Sequence, residues 1–282
     1  MSEESQSSVT GKVRAFYEEM PFNYYSTTET AARRISLNPL QSYPDLDLLL
    51  QNETLGHVLE IGCGAGWAAN SIALNYGHPV TAVDMTEKAI ARAAEVSHLI
   101  GCANPPTFVH SDLFAFRSPD RFSLVLSIGV LHHTFNCRKA FSHVCGFVAV
   151  DGYLFVGLYH LPGRRAFLKM FHEILESDGE EAAFRRFAAL NPGSQDDDHL
   201  RSWFRDQVLH PQETQHTLQE VLGWLDENGM VLVSTSINGY DEVEDRDALI
   251  DLEAAYETLS ENRNRRENSF FPGFFTVLAR RS

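Results

Sequence analysis

The stretch His57-Val58-Leu59-Glu60-Ile61-Gly62-Cys63-Gly64-Ala65-Gly66-Trp67 decides how the chain is read. Its brief apolar, β-branched run, bounded by turn residues, predicts a buried strand over 58–61. The run carries an acid, Glu60, near its end, and three glycines continue at alternate positions. Lacking Cβ atoms, the glycines let the backbone turn tightly and let a ligand approach the amides. Residues 65–76 then predict a helix whose free N-terminal N–H groups face whatever lies over the loop. The unit is a cradle of nucleotide-binding type.

Further apolar runs extend the pattern. Residues 78–84 end in Asp84, 18 residues beyond Gly66, near the spacing of about 20 at which a carboxylate meets a ribose hydroxyl in doubly wound folds. Residues 106–110 lead into Ser111-Asp112-Leu113, 121–127 into Ile128-Gly129-Val130-Leu131-His132-His133, and 151–159 end in Tyr159. Helices are expected over 87–99, capped by Thr86, and over 135–147. Alternating strands and helices with short connections make a parallel sheet with right-handed crossovers on both faces.

The successive motifs EIGCGAG, VDM, SDL, FSLVLSIGVLHH and DGYLFVGLYH resemble those of class I S-adenosylmethionine-dependent methyltransferases. The likeness covers about residues 55–159, then weakly 214–236 and 271–278. It implies an α/β fold: a seven-stranded Rossmann-like doubly wound sheet, mostly parallel with strand seven antiparallel, and here a helical cap insertion. It also implies S-adenosyl-L-methionine as cofactor and assigns residues to it. Gly62, Gly64 and Gly66 would pass under the methionine and ribose moieties, with Cys63 in the same loop. Glu60 would order the loop, and Asp84 would bind both ribose hydroxyls with Met85 against adenine. Asp112 would accept the adenine amino group, Leu113 would offer its N–H, and Ser127 to Gly129 would contact the methionine chain. Residues 16–24 resemble an aromatic lead-in that covers the cofactor in many bacterial relatives, which brings in Tyr17 and Tyr24; Asn23 stands where that pattern has Pro.

Methyl transfer from a sulfonium is an in-line displacement, so the protein chiefly aligns nucleophile and methyl. His133 and His132 are candidates for a base, since an imidazole of near-neutral pKa takes a proton from a hydroxyl or ammonium nucleophile. A structural role in fixing the loop is the competing reading for both. Tyr159 and His160 are expected at the cavity rim as candidates for substrate contact, with Tyr159 counted among the candidate catalytic residues, and His210 and His216 have no partner the sequence assigns.

The chain is expected in four parts: 1–54, a helical and aromatic lid segment; 55–160, the cofactor-binding core; 161–209, a helical insertion; and 210–282, the rest of the core with a helical insertion near 239–269. The first ten residues read as disordered, being polar and rich in Ser and Glu, with a helix from Lys12 to Met20. Within the insertion, 164–176 and 180–190 carry apolar stripes at helical spacing, 191–198 a loop, and 202–204 a further element. The stripes suit a cap over the acceptor or, alternatively, a homodimer interface.

Composition sets outer bounds. With 282 residues and 44% apolar content, the chain has ample core; its net charge of −15 argues against broad phosphate-backbone binding. The basic pairs at 33–34, 164–165, 185–186 and 265–266 read as solvated faces or anion contacts. Cys63, Cys102, Cys137 and Cys145 lack metal-type spacing and read as free thiols in a reducing compartment, with no metal implied. No apolar run reaches a membrane span and no secretory pattern is present, so a cytoplasmic location without membrane association is expected. The favoured function is methylation of an O, N or C nucleophile on a small molecule, such as a specialised metabolite. The alternatives are an NAD(P)-dependent Rossmann oxidoreductase, weakened by glycine spacing and the lack of a Tyr-x3-Lys pair, and a non-catalytic relative acting as regulator or scaffold.

Overall fold

The structure, a computed structural model, describes residues 3–52, 54–194, 196–243 and 245–282. Three N-terminal helices, α1 (Glu3–Glu19), α2 (Thr28–Ser36) and α3 (Pro44–Leu50), precede the alternating core. That core runs β1 (Val58–Ile61), α4 (Trp67–Asn75), β2 (Val80–Asp84), α5 (Glu87–Ile100), β3 (Thr107–His110), β4 (Phe122–Ile128), α6 (Cys137–Cys145) and β5 (Val148–Tyr159). Three helices follow: α7 (Leu161–Asp178), α8 (Glu180–Leu190) and α9 (Asp197–Val208). The chain then closes through α10 (Leu218–Glu227), β6 (Met230–Thr235), α11 (Arg246–Glu253), α12 (Tyr256–Glu261) and β7 (Phe274–Arg281).

The seven strands lie in the order β3-β2-β1-β4-β5-β7-β6, and β7 runs antiparallel to both its neighbours. All four residues of β1 are buried because helices cover both faces. Leu59 and Ile61 join Phe141, Val144, Val221 and Leu225 in one core, while Val58 packs with Leu46, Leu50, Ala69 and Ile72 in the other. The strand order reverses between β1 and β4, the switch point at which doubly wound sheets take their ligands.

Four expectations change in the structure. Residues 3–10 are helical, not disordered, while Met1 and Ser2 lie outside the described residues. Docking explains this: Val13 is buried, Glu18 accepts the Glu87 N–H (2.9 Å), and Lys88 reaches the Glu19 carbonyl (2.6 Å). That same Glu18 contact takes over part of the cap assigned to Thr86, whose hydroxyl donates instead to Asp84 (2.8 Å). The third helix of the insertion begins at Asp197, earlier than expected, because Asp196 accepts the His199 N–H as its N-cap (2.9 Å). Arg164, expected on a solvated face, is fully buried.

The apolar stripes of the insertion face one another. Phe167, Met170 and Phe171 of α7, Phe187 and Leu190 of α8, and Leu200, Phe204 and Val208 of α9 form a separate small core. The buried part of those stripes packs within the insertion and against Phe270 of the segment before β7.

Candidate active site

One cavity of about 1020 Å³ lies over the switch point, between the glycine loop, the N-terminal segment and α9. Gly62, Gly64 and Gly66 all take positive φ (77°, 50° and 80°), which L side chains rarely adopt. Their roles differ. A Cβ on Gly62 would overlap the Val130 side chain at 2.4 Å, and one on Gly66 would meet Ala93 and Asn70 at 2.7 Å, so Gly66 serves the packing of α4 on α5 and does not border the cavity. A Cβ on Gly64 would meet only the Phe22 carbonyl, at 3.9 Å, and the Gly64 N–H donates to Asp84 Oδ2 (2.8 Å).

Asp84 also accepts the Thr86 N–H (2.9 Å) and hydroxyl (2.8 Å) on Oδ1. Three of a carboxylate's roughly four lone-pair sites are then used. Beneath the loop, burial pushes the Glu60 carboxyl up to about 8; the Ala69 N–H opposes that and the Asp84 charge adds to it. Glu60 Oε2 is buried without a partner. Along the rim, Cys63, Met85, Asp112, Leu113 and Gly129 border the cavity, Asp112 with Oδ1 committed to the Phe114 N–H (2.8 Å). Ser127 does not: fully buried, its hydroxyl donates to the Ile61 carbonyl (3.2 Å) and ties β4 to β1.

The paired histidines after β4 separate in role. His132 is fully buried; its Nδ1 accepts the Tyr159 N–H (3.2 Å), its ring stacks on Tyr159, and it lies outside the cavity lining. His133 borders the cavity. Its Nδ1–H donates to the Gln212 carbonyl (2.8 Å), which leaves the Nε2 lone pair facing inward. The extended segment before α10 supplies that carbonyl, held because Thr214 and His216 donate backbone N–H bonds to His132 and Tyr159 (2.8 and 2.9 Å). Burial pulls the His133 pKa down to about 4, against the Gln212 bond.

Opposite His133 stands Asp206 of α9, which the sequence reading missed. Its carboxylate accepts from the Tyr17 hydroxyl (2.6 Å), the Tyr159 hydroxyl (3.1 Å) and the Gln207 amide (2.9 Å). Tyr159 is held there from below by Arg164, whose guanidinium lies 3.7 Å from its ring centre and pairs with Glu213 (2.7 Å). Tyr24 and His160 are elsewhere. Tyr24 packs under Arg92 and Lys88, and its neighbour Tyr25 borders the cavity instead. His160 is fully buried and bonded to Glu253 (2.8 Å).

Ligating atoms of His133, Asp206 and His210 lie within 4.8 Å of one another. The His210 Nδ1, however, accepts the Gln212 N–H (3.1 Å), so its Nε2 carries hydrogen and offers no lone pair to a metal.

This topology, with β7 inserted antiparallel beside β5, is the Rossmann-like fold of the class I methyltransferases, and solved structures similar to it carry S-adenosylhomocysteine. Residues 58–152 match the family described as methyltransferase domain. Over 110 residues the chain is 34% identical to an uncharacterised methyltransferase of Mycobacterium bovis, covering 38% of this chain and 53% of that protein. Over 203 residues it is 25% identical to an uncharacterised protein of Synechococcus, covering 64% and 48%. The chain thus spans about half the length of the curated relatives it matches. Among solved structures, magnesium protoporphyrin IX methyltransferase of Synechocystis with bound SAH superposes with a TM-score of 0.54 at 17% identity, over 98% of this chain and 95% of that one. PKMT2 of Rickettsia typhi in complex with AdoHcy gives 0.56 at 17% identity, over 80% and 48%. Among the described residues no helix is long and apolar enough to cross a membrane.

Proposed function

We propose that the chain transfers a methyl group from S-adenosylmethionine to an oxygen or nitrogen nucleophile of a small molecule held between the glycine loop and α9. One observation carries this reading: the loop that fits the cofactor and the inward-facing His133 Nε2 border the same cavity. The fit to the cofactor rests on the unpartnered Glu60 Oε2, the Gly64 backbone bordering the cavity and the Asp112 oxygen that Phe114 does not use at its rim. The bound cofactor supplies an electrophilic methyl, and alignment does most of the rest. Glu60, Asp84 and the loop amides bind and orient it, Asp112 and Leu113 border the far end, and α9 with the N-terminal segment excludes water. His133 Nε2 takes the proton of the nucleophile, while Gln212 keeps its ring in the required tautomer. The sheet topology and the family match favour this over nicotinamide chemistry.

The test is incubation with labelled S-adenosylmethionine and separate low-molecular-mass and macromolecular fractions of a cell extract. S-adenosylhomocysteine formed with the small-molecule fraction is the expected result; transfer only to protein or nucleic acid overturns the small-molecule assignment. His133→Asn should lower turnover by about 10²–10⁴ with cofactor affinity unchanged. Near-normal turnover in a folded variant removes the base and leaves alignment alone.

A further inference from the structure

We propose that Arg33 and Arg34 form an oxyanion subsite at the mouth of the cavity, so that the acceptor is a small molecule carrying a carboxylate or phosphate apart from the atom that is methylated. The inference rests on the methyl-transfer reading above and names the substrate class of that site. It starts from the wall that α2 contributes. Thr30, Arg33, Arg34 and, just past the helix end, Leu37 fall at helical spacing and all border the cavity, while Ala31 and Ile35 pack against Val96 of α5. Both arginines are exposed, which puts them at the entrance.

Among the described residues no other lysine or arginine borders the cavity, and neither of these two has an acid partner. Glu29 lies four positions before Arg33, a spacing that favours pairing on a helix, yet it makes no ion pair there. Asp196, the acid on that side, gives its oxygens to the Ser26 N–H and hydroxyl and to the His199 N–H. In a chain with 38 acids against 23 lysines and arginines, carboxylates are plentiful, and Arg138, Arg205, Arg246 and Arg280 each hold one. Two adjacent guanidiniums without one repel each other. A bound oxyanion relieves that, and their forked donors fit it in bidentate fashion.

The pair lies on the acceptor's side. The Arg34 charge acts on Tyr25 and His199, whose rings stack where the N-terminal segment meets α9. Glu60 and Asp84, at the cofactor's end, are set instead by burial, by backbone N–H groups and, for Glu60, by the Asp84 charge. At about 1020 Å³ the cavity stands at the top of the range of roughly 300–1,000 Å³ for ligand pockets, so it has room for cofactor and acceptor together. His133 then meets the nucleophile inside while the arginines hold the anion at the entrance.

The test uses the full chain, labelled S-adenosylmethionine and the small-molecule fraction of a cell extract passed over an anion-exchange resin at neutral pH. The acceptor should be retained, and so should the labelled product, because the anion is not the atom methylated. Alkaline phosphatase then tells the two oxyanions apart: a phosphate ester loses its retention and a carboxylate keeps it. Arg33→Gln plus Arg34→Gln should raise the amount of retained fraction needed for half-maximal rate at least about tenfold, the size of one charge-assisted hydrogen bond, with maximal rate and S-adenosylhomocysteine affinity held. Arg185→Gln removes an exposed arginine that does not border the cavity and should change none of these. An acceptor or product that passes through the resin, a folded double variant with the wild-type requirement, or an equal effect of Arg185→Gln each overturn the proposal. Weakened S-adenosylhomocysteine binding in the double variant also overturns it, by giving the pair to the cofactor's carboxylate. The resin arm uses the wild type and stands if the double variant does not fold. No transfer with any fraction is a separate result and sinks the methyl-transfer reading instead.

Discussion

Glu60 and Asp84 set the pH behaviour of the glycine loop. Burial raises the Glu60 carboxyl from 4.5 to about 8, so between those values the folded state holds a proton that the unfolded chain releases. Its contribution to stability is present below pH 4.5 and is lost as pH rises toward 8. Glu60→Gln should flatten that slope, by up to a few kcal/mol across the window, in urea titrations at matched pH. A cationic ligand over the loop favours the ionised form. Calorimetry of S-adenosylmethionine binding near pH 7 in buffers of different ionisation enthalpy should therefore show proton release in the wild type and much less in the variant. Asp84→Ala should weaken cofactor binding at least tenfold, since it removes a charged acceptor and frees the Gly64 and Thr86 amides it now holds. Unchanged affinity would remove Asp84 from the site. At this scale the sequence was informative where chemistry follows a strand end: Glu60, Asp84, Asp112 and His133 all stand at such ends. Asp206 was illegible, because its partners Tyr17, Tyr159 and His133 are 189, 47 and 73 positions away and no spacing links them.

Among the elements, the strands were legible and the insertion only in part. Strands announced themselves as short β-branched runs between turns, and β6 followed the Gly229 that ends α10 with φ 65°. The two amphipathic stripes of α7 and α8 showed helix but not what each stripe touches, since three short helices close on one another only in the fold. Arg164 shows why. Its basic pair reads as surface, yet its guanidinium donates to Glu213, to Gln207 and to the Pro272 carbonyl while covering Tyr159 and Phe167. It joins the insertion to the core. Arg164→Met keeps the stem but leaves the half-buried Glu213 with the Gln215 amide as its donor, which should cost about 1–3 kcal/mol in chemical denaturation. A loss well below that would show the insertion to be held by its apolar contacts. Residues 161–209 therefore do not form a detachable lid, and replacing them with a short Gly-Ser linker should abolish acceptor binding and also lower stability.

Across the whole molecule, the N-terminal segment and α9 meet above the cavity. Asn23, which stands where the resembling lead-in has Pro, takes φ 56°, a conformation closed to a proline ring. Its side-chain oxygen accepts from His199 (2.7 Å) and Trp203 (3.3 Å). Tyr24 N–H donates to Ser202 (3.1 Å), the Ser26 hydroxyl to Asp196 (2.8 Å), and Arg205 holds Glu19. This seam has a kinetic meaning. For a product that leaves through it, several bonds must break together, so departure, not bond making, is then the expected slow event of a cycle. Rapid-quench traces should then show one equivalent of product formed in a burst ahead of a slower steady rate. Cutting the seam with Asn23→Ala plus Ser26→Ala should shrink the burst by quickening the steady rate. A trace that rises linearly from the first turnover would put the clock of this protein in the transfer itself.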